Sequence, residues 1–150
     1  MKLSFNSKSK SNIKKNVLFV CVENAGRSQM AEGLFRKYAP SDYEPISAGT
    51  VPKSQINPHA AEVMKEIGID IGTQKPKELS EEMIKNADII VNMACMDKSF
   101  CPTLFVPKVL DWGIEDPKGK PIEKVREIRD EIERKMREMD EVIGKENTDN

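Results

Sequence analysis

The stretch that leaves the fewest options is the unbroken apolar run Val17-Leu18-Phe19-Val20-Cys21-Val22. A short run without polar alternation reads as a strand buried on both faces, the kind found inside a sheet covered by helices. It delivers Cys21 into a short loop, Val22-Glu23-Asn24-Ala25-Gly26, which closes with Arg27-Ser28 as an amphipathic helix begins. Backbone N–H groups in such a loop, with those of a helix start, attract a tetrahedral oxyanion. Arg27 adds a planar fork suited to two of its oxygens. The same positive field favours the thiolate of Cys21, the form of sulfur that attacks. Ser28 can donate its hydroxyl to that thiolate. Gly26 is expected to keep the loop compact beside the ligand by accepting unusual backbone angles. The segment therefore predicts an oxyanion bound by Val22, Glu23, Asn24, Ala25, Gly26 and Arg27 and attacked by Cys21.

Beyond the loop the chain alternates helical and extended patterns. Met30, Ala31, Leu34, Phe35 and Tyr38 repeat on one face of a helix that Pro40 ends. Residues 43–48 form a weaker strand closed by Gly49, with Pro45 suited to a sheet edge. Asn57 caps the next helix, Pro58 fits its first turn, and Ala60, Val63, Met64 and Ile67 share a face before Gly68 stops it. His59, in that first turn, is expected at the surface. Ser80 caps a short helix that carries Glu81 and Glu82 in its first turn and leads to a strand over 88–93. A last strand is expected near 105–110, interrupted by Pro107. A last helix follows from about Pro121 to Ile143, with Ile122, Val125, Ile128, Ile132, Met136 and Met139 at helical spacing. Strands alternating with helices predict an α/β fold built on a doubly wound parallel sheet, whose ligands bind at the carboxyl ends of the strands. Cys21, Cys95 and Asp116 all follow predicted strands, which brings them towards one rim.

The 150 residues suit one domain, over 16–144. A flexible basic extension is expected over 1–15 and a polar tail over 145–150. With 24 basic and 25 acidic residues the net charge is -1, so nothing draws the whole chain to nucleic acid. No apolar run approaches a membrane span, and residues 1–15 lack the core of a signal peptide, so the chain is expected in the cytoplasm. Three cysteines there argue against a disulfide scaffold, and a single histidine with no Cys-x2-Cys pair argues against a zinc site. No metal or cofactor is predicted.

Thiolate attack needs a proton at the departing oxygen. Asp116, followed by Pro117 in a loop past the last strand, is the candidate general acid, with Asp111 in reserve; a turn-forming Asp-Pro is the plainer use of the pair. Trp112 either walls the pocket or, more simply, packs in the core. Cys95 and Cys101 bracket one loop and supply what hydrolysis does not require. A second thiol can resolve an oxidised or arsenic-bearing intermediate on Cys21, and a third can pass the disulfide on to an external reductant.

Taken together, Cys21-Val22-Glu23-Asn24-Ala25-Gly26-Arg27-Ser28-Gln29-Met30-Ala31-Glu32-Gly33 resembles the active-site segment of the low-molecular-weight tyrosine phosphatase superfamily, and within it the thioredoxin-coupled arsenate reductases. Ile46-Ser47-Ala48-Gly49-Thr50, Asn57-Pro58, Ala87-Asp88-Ile89-Ile90-Val91, Cys101-Pro102 and Trp112-Gly113-Ile114-Glu115-Asp116-Pro117 extend the resemblance. Phosphatases of this type usually carry proline after Arg-Ser and aromatic residues after the acid Asp-Pro, where this chain has Gln29 and Lys118-Gly119. The resemblance implies a single three-layer domain, with a four-stranded parallel sheet and helices on both faces. It implies arsenate reduction through an arseno-thiol on Cys21, with Cys95 and Cys101 as the redox pair, thioredoxin or another thiol as reductant, and a monomer. The alternative it carries is hydrolysis of aryl phosphates through a phospho-thiol on the same cysteine. Cys95 and Cys101 stand one residue closer than the usual pair, with Ala94 where the first is usual. Some relatives bind potassium near the loop; Asn24, Glu32 and Ser47 match contributors to that site, and Lys77 stands where an acidic one is usual, so its ammonium is expected to replace the ion.

Overall fold

The computed structural model describes residues 14–93 and 109–148, with side chains through Met139. The apolar run is the centre of the fold. β1 (Lys15–Cys21) begins two residues ahead of that run, because Lys15 and Asn16 already pair with Tyr43 and Glu44 of β2 (Tyr43–Gly49). On its other side β1 pairs with β3 (Ile89–Asn92), which pairs with β4 (Val109–Asp111). All pairings are parallel, in the order β2-β1-β3-β4. Pro45 lies in the edge strand β2, as its missing N–H favours. The expected last strand is seen from Val109 to Asp111; residues 105–108 lie outside the described residues, as do the N-terminal extension through residue 13, Cys95 and Cys101.

Side chains of a strand alternate between faces, and β1 feeds two cores in this way. Val17, Phe19 and Cys21 join the larger one, with Met30, Leu34 and Phe35 of α1 (Arg27–Tyr38), Val63 and Met64 of α2 (Pro58–Lys65), and Ile128, Ile132 and Met136 of α4 (Ile122–Thr148). Leu18 and Val20 face the other way, onto Ala48, Ile90 and the half-buried Leu79, Met83 and Ile84, the last two from α3 (Glu81–Asn86). Helices thus cover both faces of the four-stranded sheet. Val17 through Val20 are fully buried, each worth about 1.5–3 kcal/mol in water-avoiding surface.

The expected caps form. Asn57 accepts from the N–H groups of His59 and Ala60, Ser80 accepts from that of Met83, and Gly68 takes φ 80 just past α2. Two expectations change. The last helix runs on to Thr148, since Gly144 costs only about 1 kcal/mol in a helix and no proline blocks it. And α1 is not a helix with one buried stripe: every residue from Arg27 to Phe35 is buried, polar ones included. Its approach to the chain after α2 is close enough that a Cβ on Gly33 would meet Ile71 Cγ2 at 2.8 Å.

Glu66 joins α2 to α4. Its carboxylate accepts from Arg126 Nε and Nη2 at 3.1 and 2.8 Å and from Arg129 Nη1 at 2.9 Å, while Arg129 Nη1 also reaches Val63 O at 2.8 Å. The Arg126 hydrogen bond, outweighing desolvation, holds the Glu66 carboxyl below its ordinary value of 4.5. A carboxyl that ionises more readily folded than unfolded stabilises the fold above its unfolded value, and the contribution fades as pH falls through the lowered one. Glu66→Gln should therefore lower the unfolding temperature at pH 7 and narrow its gap from the parent at pH 3, by scanning calorimetry at both.

Candidate active site

Five consecutive carbonyls, from Cys21 to Ala25, are turned outward and bonded. Thr50 N donates to Cys21 O (3.2 Å), Val51 N to Val22 O (2.8 Å), Lys53 N to Glu23 O (3.0 Å) and Asn57 N to Ala25 O (2.8 Å). Gln29 Nε2 donates to Asn24 O at 3.0 Å. In a trans peptide the C=O of one residue and the N–H of the next point oppositely, and none of the described peptides is cis. The N–H groups of Val22 through Gly26 are consequently aimed inward. Asn24 N gives direct evidence of this, reaching Cys21 Sγ at 3.2 Å. The first N–H groups of α1 have no acceptor within the helix and add to the same concavity.

The left-handed residue of the loop is Asn24, at φ 51, and not Gly26, at φ -131. Asparagine is among the residues that tolerate this region. Gly26 pairs its φ of -131 with ψ -86, outside the helical and extended regions as expected of it, and its missing side chain matters too: a Cβ there would stand 2.9 Å from Pro117 Cγ, in the segment that carries Asp116. Gly49 is tighter still. A Cβ on it would lie 2.5 Å from Val22 O and 2.9 Å from Asn24 N.

Cys21 is 2% exposed, and its sulfur lies 2.8 Å from Ser28 Oγ. Asn24 Nδ2 donates to that same Oγ at 2.7 Å, so when Cys21 is a thiolate the serine proton is the one that points at sulfur. Two donors, the Ser28 hydroxyl and the Asn24 amide, therefore converge on Sγ. Arg27 is buried as well, with Nη1 donating to Ile114 O at 3.0 Å and Nη2 3.7 Å from Asp116 Oδ2. Asp116 also accepts from Lys118 N at 3.0 Å, so it makes the local Asp-Pro turn and faces Arg27 as well. Lys118 Nζ reaches Glu23 across the rim at 3.3 Å.

The other candidates lie elsewhere. Asp111 ends β4 and accepts from Asn92 Nδ2 at 2.9 Å, Trp112 packs half-buried with its ring 6.0 Å from that of Phe19, and His59 is exposed. Glu32, buried, accepts from Ser47 Oγ at 2.6 Å and Arg36 Nη2 at 2.9 Å, with Lys77 Nζ 3.8 Å away. Lys77 N donates to Asn24 Oδ1 at 2.8 Å, joining this charge cluster to the loop. Sequence reading did not anticipate the strap over 50–57 or the close fit of Gly49, which have no periodic signature. Among the described residues no group of three or more His, Cys, Asp or Glu side chains is arranged to hold a metal ion, and no helix is long and apolar enough to cross a membrane.

The profile of the low molecular weight phosphotyrosine protein phosphatases matches residues 16–149. The chain belongs to that family. It is 40% identical to an arsenate reductase of Staphylococcus aureus strain Newman over 121 residues, 79% of this chain and 91% of that one. An arsenate reductase of Brevibacillus brevis is 39% identical over 79% of this chain and 89% of its own. Among solved structures, a thioredoxin-dependent arsenate reductase of Corynebacterium glutamicum superposes with a TM-score of 0.74 at 34% identity, over 94% of this chain and 71% of that one. An arginine phosphatase of Geobacillus stearothermophilus gives 0.83 at 29%, over 91% and 97%. Backbone likeness and sequence likeness rank these two oppositely. The backbone is common to both activities, so the side chains are the better guide to which one applies.

Because Gly49 touches loop backbone on two sides, Gly49→Ala should leave the protein folded yet weaken protection of Cys21 by inorganic phosphate against iodoacetamide by about 10–100-fold. Unchanged protection would mean that the loop accommodates the methyl group freely.

Proposed function

We propose that this protein is an arsenate reductase that runs through a covalent intermediate on Cys21. The observation that carries the reading is a buried Cys21 sulfur that lies 2.8 Å from Ser28 Oγ and 3.2 Å from Asn24 N, in a loop whose carbonyls are bonded away from it. Identity of 40% to an arsenate reductase supports arsenate as the oxyanion, and so do Gln29 and Lys118-Gly119 in place of the proline and aromatic residues usual in phosphatases.

Arsenate enters the loop with its oxygens on the N–H groups of 22–27 and on Arg27. The Cys21 thiolate attacks arsenic, a sulfur–arsenic bond forms, and one arsenic–oxygen bond breaks. Asp116 supplies the proton with which that oxygen leaves as water. The thiolate of Cys95 then attacks Cys21 Sγ. The electron pair of the sulfur–arsenic bond stays on arsenic, which departs as arsenite, reduced by two electrons. Cys101 attacks Cys95, freeing the Cys21 thiolate, and thioredoxin or a similar dithiol reduces the Cys95–Cys101 disulfide. In support of this order, β3 runs beside β1 and hands the chain on at Met93, whose N–H bonds Val20 O at 2.8 Å; Cys95 follows two residues later.

Lys77, close to the buried Glu32 carboxylate, takes the part of a bound potassium ion in this reading. The protein works as a monomer in the reducing cytoplasm, with no nucleic-acid partner. Hydrolysis of aryl phosphates is the second reading. The family match favours it, because water attacking a phospho-thiol needs the same loop, arginine and acid.

The deciding assay follows NADPH loss with arsenate, thioredoxin and thioredoxin reductase. Cys95→Ser and Cys101→Ser should each abolish arsenate turnover while retaining Cys21-dependent aryl phosphate hydrolysis. Robust hydrolysis with no arsenate turnover by the parent would make the protein a phosphatase. In the hydrolytic assay Asp116→Asn should slow an aryl phosphate with a poor leaving group by about 100-fold and one with a good leaving group much less. Equal, small losses on both would remove Asp116 as the acid.

A further inference from the structure

We propose that Gln29 is a positioning residue for the Cys21 thiolate, acting through Asn24 and Ser28. The inference deepens the reading above, since it rests on Cys21 as the nucleophile. Gln29 is fully buried in the first turn of α1, a place where a long polar side chain needs its hydrogen bonds met. They are met in one direction only. Its Nε2 is surrounded by carbonyl oxygens, with Asn24 O at 3.0 Å, Asn24 Oδ1 at 2.9 Å and Lys75 O at 3.1 Å. Its Oε1 accepts from Gln74 Nε2 at 2.6 Å. Reversing the amide would set oxygen against three oxygens, so the orientation is fixed.

From there the orientation passes inward. Asn24 Oδ1 accepts from Gln29 Nε2 and from the main-chain N–H of Lys77 at 2.8 Å, a donor that cannot be reassigned. Asn24 Nδ2 must then face Ser28 Oγ, at 2.7 Å. With Cys21 as the thiolate, which has no proton to give, Ser28 Oγ spends its single proton on Cys21 Sγ at 2.8 Å. Gln29 therefore grips Asn24 by its main-chain and side-chain oxygens together, and Asn24 is the loop residue with φ 51. Loss of that grip would free Asn24 to turn, and Ser28 would lose the donor that enforces its direction. No other described side chain contacts both oxygens of Asn24.

A purely structural Gln29 would fill space and stabilise the fold without favouring the thiolate. Iodoacetamide alkylation of Cys21 against pH separates the two, with Cys95→Ser and Cys101→Ser present throughout so that one thiol reacts. Gln29→Met, similar in volume but without the amide, should slow alkylation about tenfold on the acid side while leaving the alkaline plateau unchanged. Ser28→Ala should do the same. In the Ser28→Ala background Gln29→Met should add less than about twofold, because its route to sulfur is already cut. A Gln29→Met profile identical to the parent's, or two effects that multiply, would overturn the proposal. If near-ultraviolet circular dichroism shows Gln29→Met unfolded, Gln74→Met at the half-buried end of the chain takes its place; a smaller shift in the same direction is expected, and none would overturn it. Alkylation reads the thiolate whether or not arsenate is turned over, so failure of the substrate assignment would leave these results unchanged.

Discussion

The site depends on parallel strand pairing that continues after the strands themselves have ended. Cys21 stands opposite Gly49 at the last rung between β1 and β2. Beyond it the two chains stay together, Thr50 N on Cys21 O and Val51 N on Val22 O, then Lys53 and Asn57 on later carbonyls. A carbonyl left unbonded in this setting would cost roughly 1–3 kcal/mol, so the strap fixes the outward direction of the loop's oxygens firmly. Peptide planarity does the rest, since oxygens held outward oblige the following N–H groups to face in. An oxyanion then meets donors already aligned, and little reorganisation is needed on binding.

Gly49 is the point at which this depends on a missing side chain. Its N–H donates to Lys77 O and its carbonyl accepts from Leu79 N, so its backbone is bonded to the 77–79 segment as well as being pressed against the loop. That second attachment brings Lys77 N to Asn24 Oδ1 and Lys77 Nζ towards Glu32. The buried polar residues of α1 follow from the same crowding. Ser28, Gln29 and Glu32 lie where water cannot serve them, and among the described residues no buried side-chain nitrogen or oxygen lacks a partner. A polar network satisfied so fully gains rigidity along with its modest stability.

Periodicity made much of the fold legible. The unbroken apolar run of β1, the apolar faces of α2 and α4, and the caps at Asn57 and Ser80 are all local patterns, and local patterns are what a sequence displays. Cys21, Arg27, Ser28 and Asp116 stood out because their chemistry is rare in such spacing. Asn24 as the left-handed residue was hidden behind Gly26, for glycine is the usual signal of a turn. Nothing in the local pattern places Gln29 inside, because the partners that meet its amide at Gln74 and Lys75 are more than forty residues away in the chain. The strap over 50–57 consists of main-chain bonds between segments about thirty residues apart, and main-chain bonds are indifferent to side-chain identity.

The same backbone can serve reduction or hydrolysis because the first step, thiolate attack on a held oxyanion, is common to both. They part at the second. Hydrolysis requires water at phosphorus, whereas the proposed reduction requires a thiol at the sulfur of Cys21, a residue 2% exposed whose sulfur contacts Ser28 and Asn24. A disulfide further demands that the two Cα atoms come within about 4.4–6.8 Å. In the proposed reduction the donors that hold the thiolate before attack would therefore have to release sulfur once it is bonded to arsenic. The Ser28 proton is well suited to this, because its hydrogen bond is strongest to an anion and weakens as soon as sulfur becomes a neutral bridging atom. On that proposal the chemistry itself would loosen the grip on sulfur at the stage when a second thiol needs access to it.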